Sequence, residues 1–282
     1  MHSITLGQYY PSDSRLHKLD PRMKLIAAVI FIVSVFLADN LPSYIFILLS
    51  CMALALAAKI PSGLLLKSIK PLIYIIAITA FFNVFWTKGE TLLTPKGFFI
   101  SIYLEGIISA FYMIIRLVSL VLGTLVLISY TTTPIALTHG MESLLYPLSK
   151  IKVPVHEFAM MMSIALRFIP TLMEETEKII NAQKARGADF ETGGLIKRAK
   201  AFIPIMIPLF VSAFRRADEL ATAMESRCYN GSVGRTRMNV LKFGISDFIF
   251  IILMALALFV TVLLSKKSGM IDYGNIFPKV LM

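Results

Sequence analysis

Cysteine is nearly absent from this chain. The two present, Cys51 and Cys228, do not make a disulfide framework, and Cys51 lies in an apolar run where a small packing residue is expected. Histidine is scarce too. His2, His17, His139 and His156 are scattered, without the HExxH or paired-cysteine spacing that holds a metal; His2, beside the N-terminal amine, could bind a metal, but a disordered or surface histidine is the simpler reading. No GxxxxGK[ST] occurs, so no P-loop cradles ATP phosphates, and no GxSxG presents a nucleophile. Glu174 and Glu175 near Arg167 fall on the polar side of an amphipathic pattern and read as a solvated face, not as acid–base machinery. No catalytic site, metal or cofactor is therefore expected. Acidic residues are few, 17 against 28 Lys and Arg, for a net charge of +11. No basic-aromatic motif accompanies that charge, so no nucleic-acid partner is expected. The polar N-terminal twenty residues also lack the apolar stretch of a cleavable signal peptide.

What is abundant is apolar sequence. Hydrophobic residues make up 57% of the chain and the mean hydropathy is +0.75, which points to an integral membrane protein. The first span is expected at about 25–38, preceded by Arg15, Lys18, Arg22 and Lys24, so the positive-inside rule places the N-terminus in the cytoplasm. Asp39-Asn40 marks an outer turn. A second span follows at about 41–58, entered at Pro42, and returns to the basic "KIPSGLLLKSIK". The third, about 71–86, ends at Trp86, an interface anchor, and "TKGETLLTPKG" forms an external loop. Residues 98–130 are too long for one simple span. The first part is expected to be interfacial or re-entrant and the second, about 110–130, the fourth span. Glu105 and Arg116 lie on one face there, about 16 Å apart and too far to pair with each other. They are either functional intramembrane charges or residues snorkelling to an interface, the second being the simpler reading. A fifth span at about 245–264 places the C-terminus outside, against which Lys266 and Lys267 weigh weakly.

Residues 134–240 differ. They hold long amphipathic helices instead of clean spans. From Pro154 to Arg186, apolar residues from Phe158 to Ile180 recur every three or four positions. A second helix, about Leu195 to Arg227, repeats the plan with a stripe of Phe202, Ile205, Met206, Leu209, Phe210, Ala213, Ala217, Leu220 and Met224. "ETGG" turns between them, and Pro170, Pro204 and Pro208 should bend them. The ends match: Arg186 aligns with Arg227, Ala182 with Ala223, Glu177 with Asp218. Each arginine stands between small residues, Ala185-Arg186-Gly187 and Ser226-Arg227-Cys228. A cation at a helix C-terminus is favoured by about 0.3–1 kcal/mol, which explains either arginine singly. The duplication points further, to two helix ends inserted in a pair of similar grooves, where guanidinium donors meet a carboxylate or backbone carbonyls.

The stretches "ITLGQYYPSDSRLHKLDPRMKL" (4–25), "TTTP" (131–134), "ALRFIPTLMEETEKIINAQKARGADF" (165–190) and "LFVSAFRRADELATAMESRC" (209–228) resemble the transmembrane T component (EcfT type, CbiQ family) of energy-coupling factor importers, over nearly the whole chain. The resemblance implies an all-α integral membrane scaffold with about five transmembrane helices plus long amphipathic cytoplasmic coupling helices. Those helices end in X-Arg-X motifs, here Ala185-Arg186-Gly187 and Ser226-Arg227-Cys228, that dock on two ATP-binding-cassette subunits; the ATP is bound there. The second motif departs from the commoner Ala-Arg-Gly at both flanks. A separate substrate-binding S component is held one at a time, and "GQYYP" resembles the type shared among S components for different vitamins. The expected organisation is an N-terminal cytoplasmic segment (1–24), a transmembrane region of about four spans (25–130), the coupling-helix region (131–240), and a final transmembrane helix with its tail (241–282), in the plasma membrane. The fifteen methionines, Met160-Met161-Met162 among them, suit either an adaptable partner surface or ordinary gap filling. A self-contained carrier or channel would need a buried polar pathway and often an inverted repeat; a membrane enzyme would need a convergent polar site. The spans offer neither.

Overall fold

The computed structural model describes residues 9–87, 103–188, 190, 194–231 and 243–267. His2, the loop beyond Thr87, residues 98–102, most of "ETGG" and the tail after Lys267 lie outside them. Among the described residues every regular element is helical. The helices are α1 (Pro21–Phe36), α2 (Leu41–Ala57), α3 (Ser62–Ile69), α4 (Ile73–Trp86), α5 (Leu104–Thr124), α6 (Pro134–Leu145), α7 (Val155–Ala185), α8 (Leu195–Ser226) and α9 (Ile245–Lys267). Two compact units result: Met1–Met141 with Leu241–Met282, and Glu142–Val240.

The first unit is a bundle of apolar helices. Ser62–Trp86, Leu104–Tyr130 and Ile245–Lys266 are each long and apolar enough to cross a bilayer. No residue of α4 is buried, and Ile73, Ile78, Phe81, Phe82 and Trp86 are all exposed. An apolar surface of that extent belongs against lipid, where a helix satisfies its own backbone groups. Leu104–Tyr130 is one continuous helix, so the expected re-entrant start of the fourth span is corrected over its described part. The helix passes through Glu105 because a carboxylate in a first turn suits the helix dipole. The last turn, Leu125–Tyr130, is π-helical. The core joins Ala27, Phe31 and Val35 of α1 to Tyr44, Ile47 and Cys51 of α2, Val126 and Leu127 of the π turn and Met254 of α9. Gly123 is needed there, since a Cβ would lie 2.0 Å from the Phe31 ring.

Polar contacts fasten both ends of this bundle. At the end that holds the N-terminal segment, Asp20 caps α1, its carboxylate accepting from the Arg22 N–H at 3.0 Å. The Asp20 N–H in turn donates to Asp247 at the start of α9 (2.9 Å). Lys24, only 2% exposed, donates to the carbonyls of Thr131 (2.8 Å) and His17 (3.2 Å). Burial pushes its ammonium down to about 8, against the attraction of Asp247 and Asp20. Residues 9–20 are thus packed onto the bundle: Ser14, Leu16 and Leu19 are buried, Tyr10 N–H donates to the Tyr130 carbonyl, and His17 Nε2 donates to the Tyr10 carbonyl.

At the other end Asn40 donates to the Ser265 carbonyl at 2.7 Å, so α1 and α9 run parallel. Arg116 does not snorkel outward. It donates inward to the Ala38 carbonyl (3.1 Å) and the Tyr44 hydroxyl (2.5 Å). The carbonyl end of α1 supplies the negative partner that a guanidinium inside an apolar bundle requires.

The second unit is built on α7, 31 residues, and α8, 32 residues. His156 near the start of α7 pairs with buried Glu142 at 2.8 Å. The two helices contact each other, and Arg216 meets Glu175 at 2.7 Å. Pro170, Pro204 and Pro208 are accommodated inside continuous helices.

Candidate docking ends of the two long helices

The C-termini of α7 and α8 close with the same nested pair of bonds. In α7 the Ala188 N–H reaches back to the Gln183 carbonyl (3.0 Å) and the Gly187 N–H to the Lys184 carbonyl (3.0 Å). In α8 the Tyr229 N–H reaches the Met224 carbonyl (3.0 Å) and the Cys228 N–H the Glu225 carbonyl (2.9 Å). Nested six-to-one and five-to-two bonds of this kind define a Schellman cap. Arg186 and Arg227 occupy the same place in it, the last residue before the left-handed one. Their backbones match, φ −86 ψ 6 and φ −94 ψ 14.

That geometry gives each member of the triplets a reason. The residue after the arginine carries positive φ, +86 at Gly187 and +56 at Cys228, a region that costs a side-chain-bearing residue about 1–2 kcal/mol and glycine nothing. The residue before it, Ala185 or Ser226, ends the helix on an exposed surface, and a small side chain there leaves the arginine prominent. The Ser226 hydroxyl folds back to the Ala223 carbonyl at 3.0 Å. All six residues of the two triplets are exposed. Neither arginine has an ion-pair partner among the described residues. Each therefore presents a free guanidinium at the negative end of a long helix.

Two features of the unit escaped the sequence. Glu175 does not lie on a solvated face: it is paired with Arg216, and the two side chains are 25% and 31% exposed. A signal for the pair existed. Arg186 and Arg227 are forty-one positions apart, and so are Glu175 and Arg216; opposite charges at matched positions hid the match. The apolar stripe of α8 is also only partly right. Ile205 is 3% exposed, but Met206 and Phe210 are 67% and 65% exposed, joined outside by Ile203, Ile207 and Phe214. From Phe202 to Phe214, α8 is apolar on more than one face. From Arg215 onward its outer surface is mixed, with Arg215, Asp218, Glu219 and Glu225 standing among Ala217, Ala221, Thr222 and Ala223. Beside the Glu175–Arg216 pair lies an open cleft of about 490 Å³ lined by Phe168, Ser212, Arg215, Arg216, Glu219 and Leu220.

An all-α membrane unit continuous in sequence with two long helices that end in matched, exposed arginine caps defines a helical membrane protein with an amphipathic second unit. Comparison with known proteins narrows the class. The family model described as CbiQ, cobalt transport protein, matches residues 12–240. The energy-coupling factor transporter transmembrane protein EcfT of Clostridium kluyveri is 53% identical over 246 residues, 87% of this chain and 91% of the relative. The EcfT of Acidaminococcus fermentans is 54% identical over 257 residues, 91% and 94% of the two chains. That of Bacillus subtilis is 47% identical over 241 residues, 86% and 90%. The chain belongs to the CbiQ family, as a transmembrane component of a multi-subunit energy-coupling factor transporter.

Proposed function

We propose that this chain is the scaffold of an energy-coupling factor importer, transmitting ATP hydrolysis in two ATP-binding-cassette subunits to a separate S component that carries the substrate. The observation that supports it best is the pair of caps with matching backbone geometry. Two exposed guanidinium groups in one backbone geometry fit two similar grooves, as on a dimer of like ATPases. ATP is bound and hydrolysed by those partners, and the chain itself contributes no catalytic group or cofactor. Closing of the ATPases displaces the helices seated in their grooves. The outward apolar residues of α8, Met206 and Phe210 among them, offer the S component and lipid a surface on which to slide as it reorients. Substrate selectivity lies in the S component, vitamins being the expected class. Arg15 and Lys18 ahead of α1, with Arg22 and Lys24 in its first turn, support a cytoplasmic N-terminus, in a chain read as a plasma-membrane protein.

Co-purification from membranes containing the ATPase pair tests this reading. The native chain is expected to retain both ATPases, and the double variant Arg186→Glu, Arg227→Glu to lose them while its helix content stays unchanged. Equal retention by both forms overturns the docking assignment and leaves the arginines as helix caps.

A further inference from the structure

We infer that the Glu175–Arg216 ion pair is the pin on which α7 and α8 cross, and that it fixes the separation of the two arginine caps; the inference rests on the docking reading above. Both members of the pair stand eleven residues before their own arginine, Glu175 before Arg186 and Arg216 before Arg227. Contact between matched positions is what a local two-fold axis through that point produces. The stretches on the two sides of the pin differ. Residues 176–185 and 217–226, from the pair to the caps, hold no proline, whereas Pro170, Pro204 and Pro208 all lie on the far side. Each cap therefore sits at the end of a straight arm of about 16 Å. Beyond the pin, prolines remove backbone bonds and give the helices freedom to bend.

With arms of fixed length, cap separation depends on the crossing angle. A change of ten degrees moves each cap by up to about 3 Å relative to the other. Something must hold that angle, and apolar packing does so on one side at most, because the cleft of about 490 Å³ opens beside the pair. Arg216 supplies a directed, charge-assisted bond at 2.7 Å, which restrains orientation as an apolar contact does not. The pair is a positioning device. It touches neither ATP nor substrate and acts through the caps.

Spin labels on Ala182→Cys and Ala223→Cys, matched exposed positions near the caps, in a Cys228→Ser background, report the cap separation by pulsed dipolar spectroscopy, and ATPase retention is read in the unlabelled chain with Cys228 in place. The native charges and the swapped pair Glu175→Arg, Arg216→Glu should give the same narrow distance distribution. Each single reversal should shift or broaden it, and should lower ATPase retention about tenfold through like-charge repulsion, recovered in the swap. If a single reversal does not yield folded protein, the neutral pair Glu175→Gln, Arg216→Gln decides, with a broadened distribution expected. A native distribution in the reversals or in the neutral pair overturns the pin. That result is separate from failure of docking, which is read from Arg186→Glu, Arg227→Glu with the pin intact.

Discussion

Four cations in this molecule sit in two kinds of place. Lys24 and Arg116 point into the bundle and are answered by oxygen atoms: the carbonyls of His17 and Thr131 for one, the Ala38 carbonyl and Tyr44 hydroxyl for the other. Arg186 and Arg227 point out from helix ends and are exposed. A charge in an apolar interior must be satisfied internally or it costs several kcal/mol. The inward pair is therefore committed to holding helices together. The outward pair is held only by the weak field of a helix terminus, which leaves its hydrogen-bonding capacity for another surface.

Removing an inward cation should break the comparison most severely. Lys24→Met leaves the carbonyls of His17 and Thr131 without their donor and removes a cation near Asp247. The expected cost is about 3 kcal/mol, the order for two buried acceptors left unsatisfied, read from denaturation in detergent micelles. The native lysine carries a pH signature as well. Its folded-state value is lowered to about 8 from 10.5, so above pH 8 the unfolded chain binds more protons than the folded one. The contribution of Lys24 to stability must then rise as pH increases from about 8 to 10, and be flat below. Lys24→Met should abolish that rise. A slope that survives the substitution would assign it to another group.

The inward contacts were also the part of the molecule least visible in the sequence. A lysine ahead of an apolar run reads as a loop cation obeying the positive-inside rule, and nothing in the local pattern shows that α9 brings Asp247 and residue 131 brings its carbonyl to meet it. The length of residues 98–130 suggested a re-entrant first part where Leu104–Tyr130 is one helix. Periodicity states how a side chain is placed on its own helix. It does not state which helix lies opposite, so Glu175 looked solvated and its partner Arg216 went unseen. By contrast, the apolar runs, the turn at Asp39-Asn40 and the two arginine-bearing helix ends were legible, because each depends on residues adjacent in the chain. Gly187 in particular marks its own left-handed cap.

The two caps permit a finer comparison, since they differ at the left-handed position. Cys228 holds φ +56 where its counterpart is glycine. Cys228→Gly should stabilise the end of α8 by about 1 kcal/mol, the strain of a side chain in that region less the added freedom of glycine when unfolded. Amide exchange at Tyr229 and Cys228, whose N–H groups close the cap, should slow accordingly. Unchanged exchange would mean that the cap relaxes around the cysteine at little cost.

The smallest effect on stability is expected at the arginines themselves, and it is the most informative. Arg186→Ala and Arg227→Ala each remove a cation from a helix C-terminus without disturbing the bonds of the cap, which are made by backbone groups. The loss should be about 0.5 kcal/mol in each helix and should shrink further with added salt. If the outward cations are held back for a partner, ATPase retention must fall far more than this loss of stability can explain. Thermal unfolding and co-purification of the same two variants separate the quantities. A variant that loses stability and retention in proportion would place Arg186 and Arg227 with Lys24 and Arg116, as cations whose work is finished inside the fold. A variant that keeps its stability and loses its partners keeps the two kinds of cation apart.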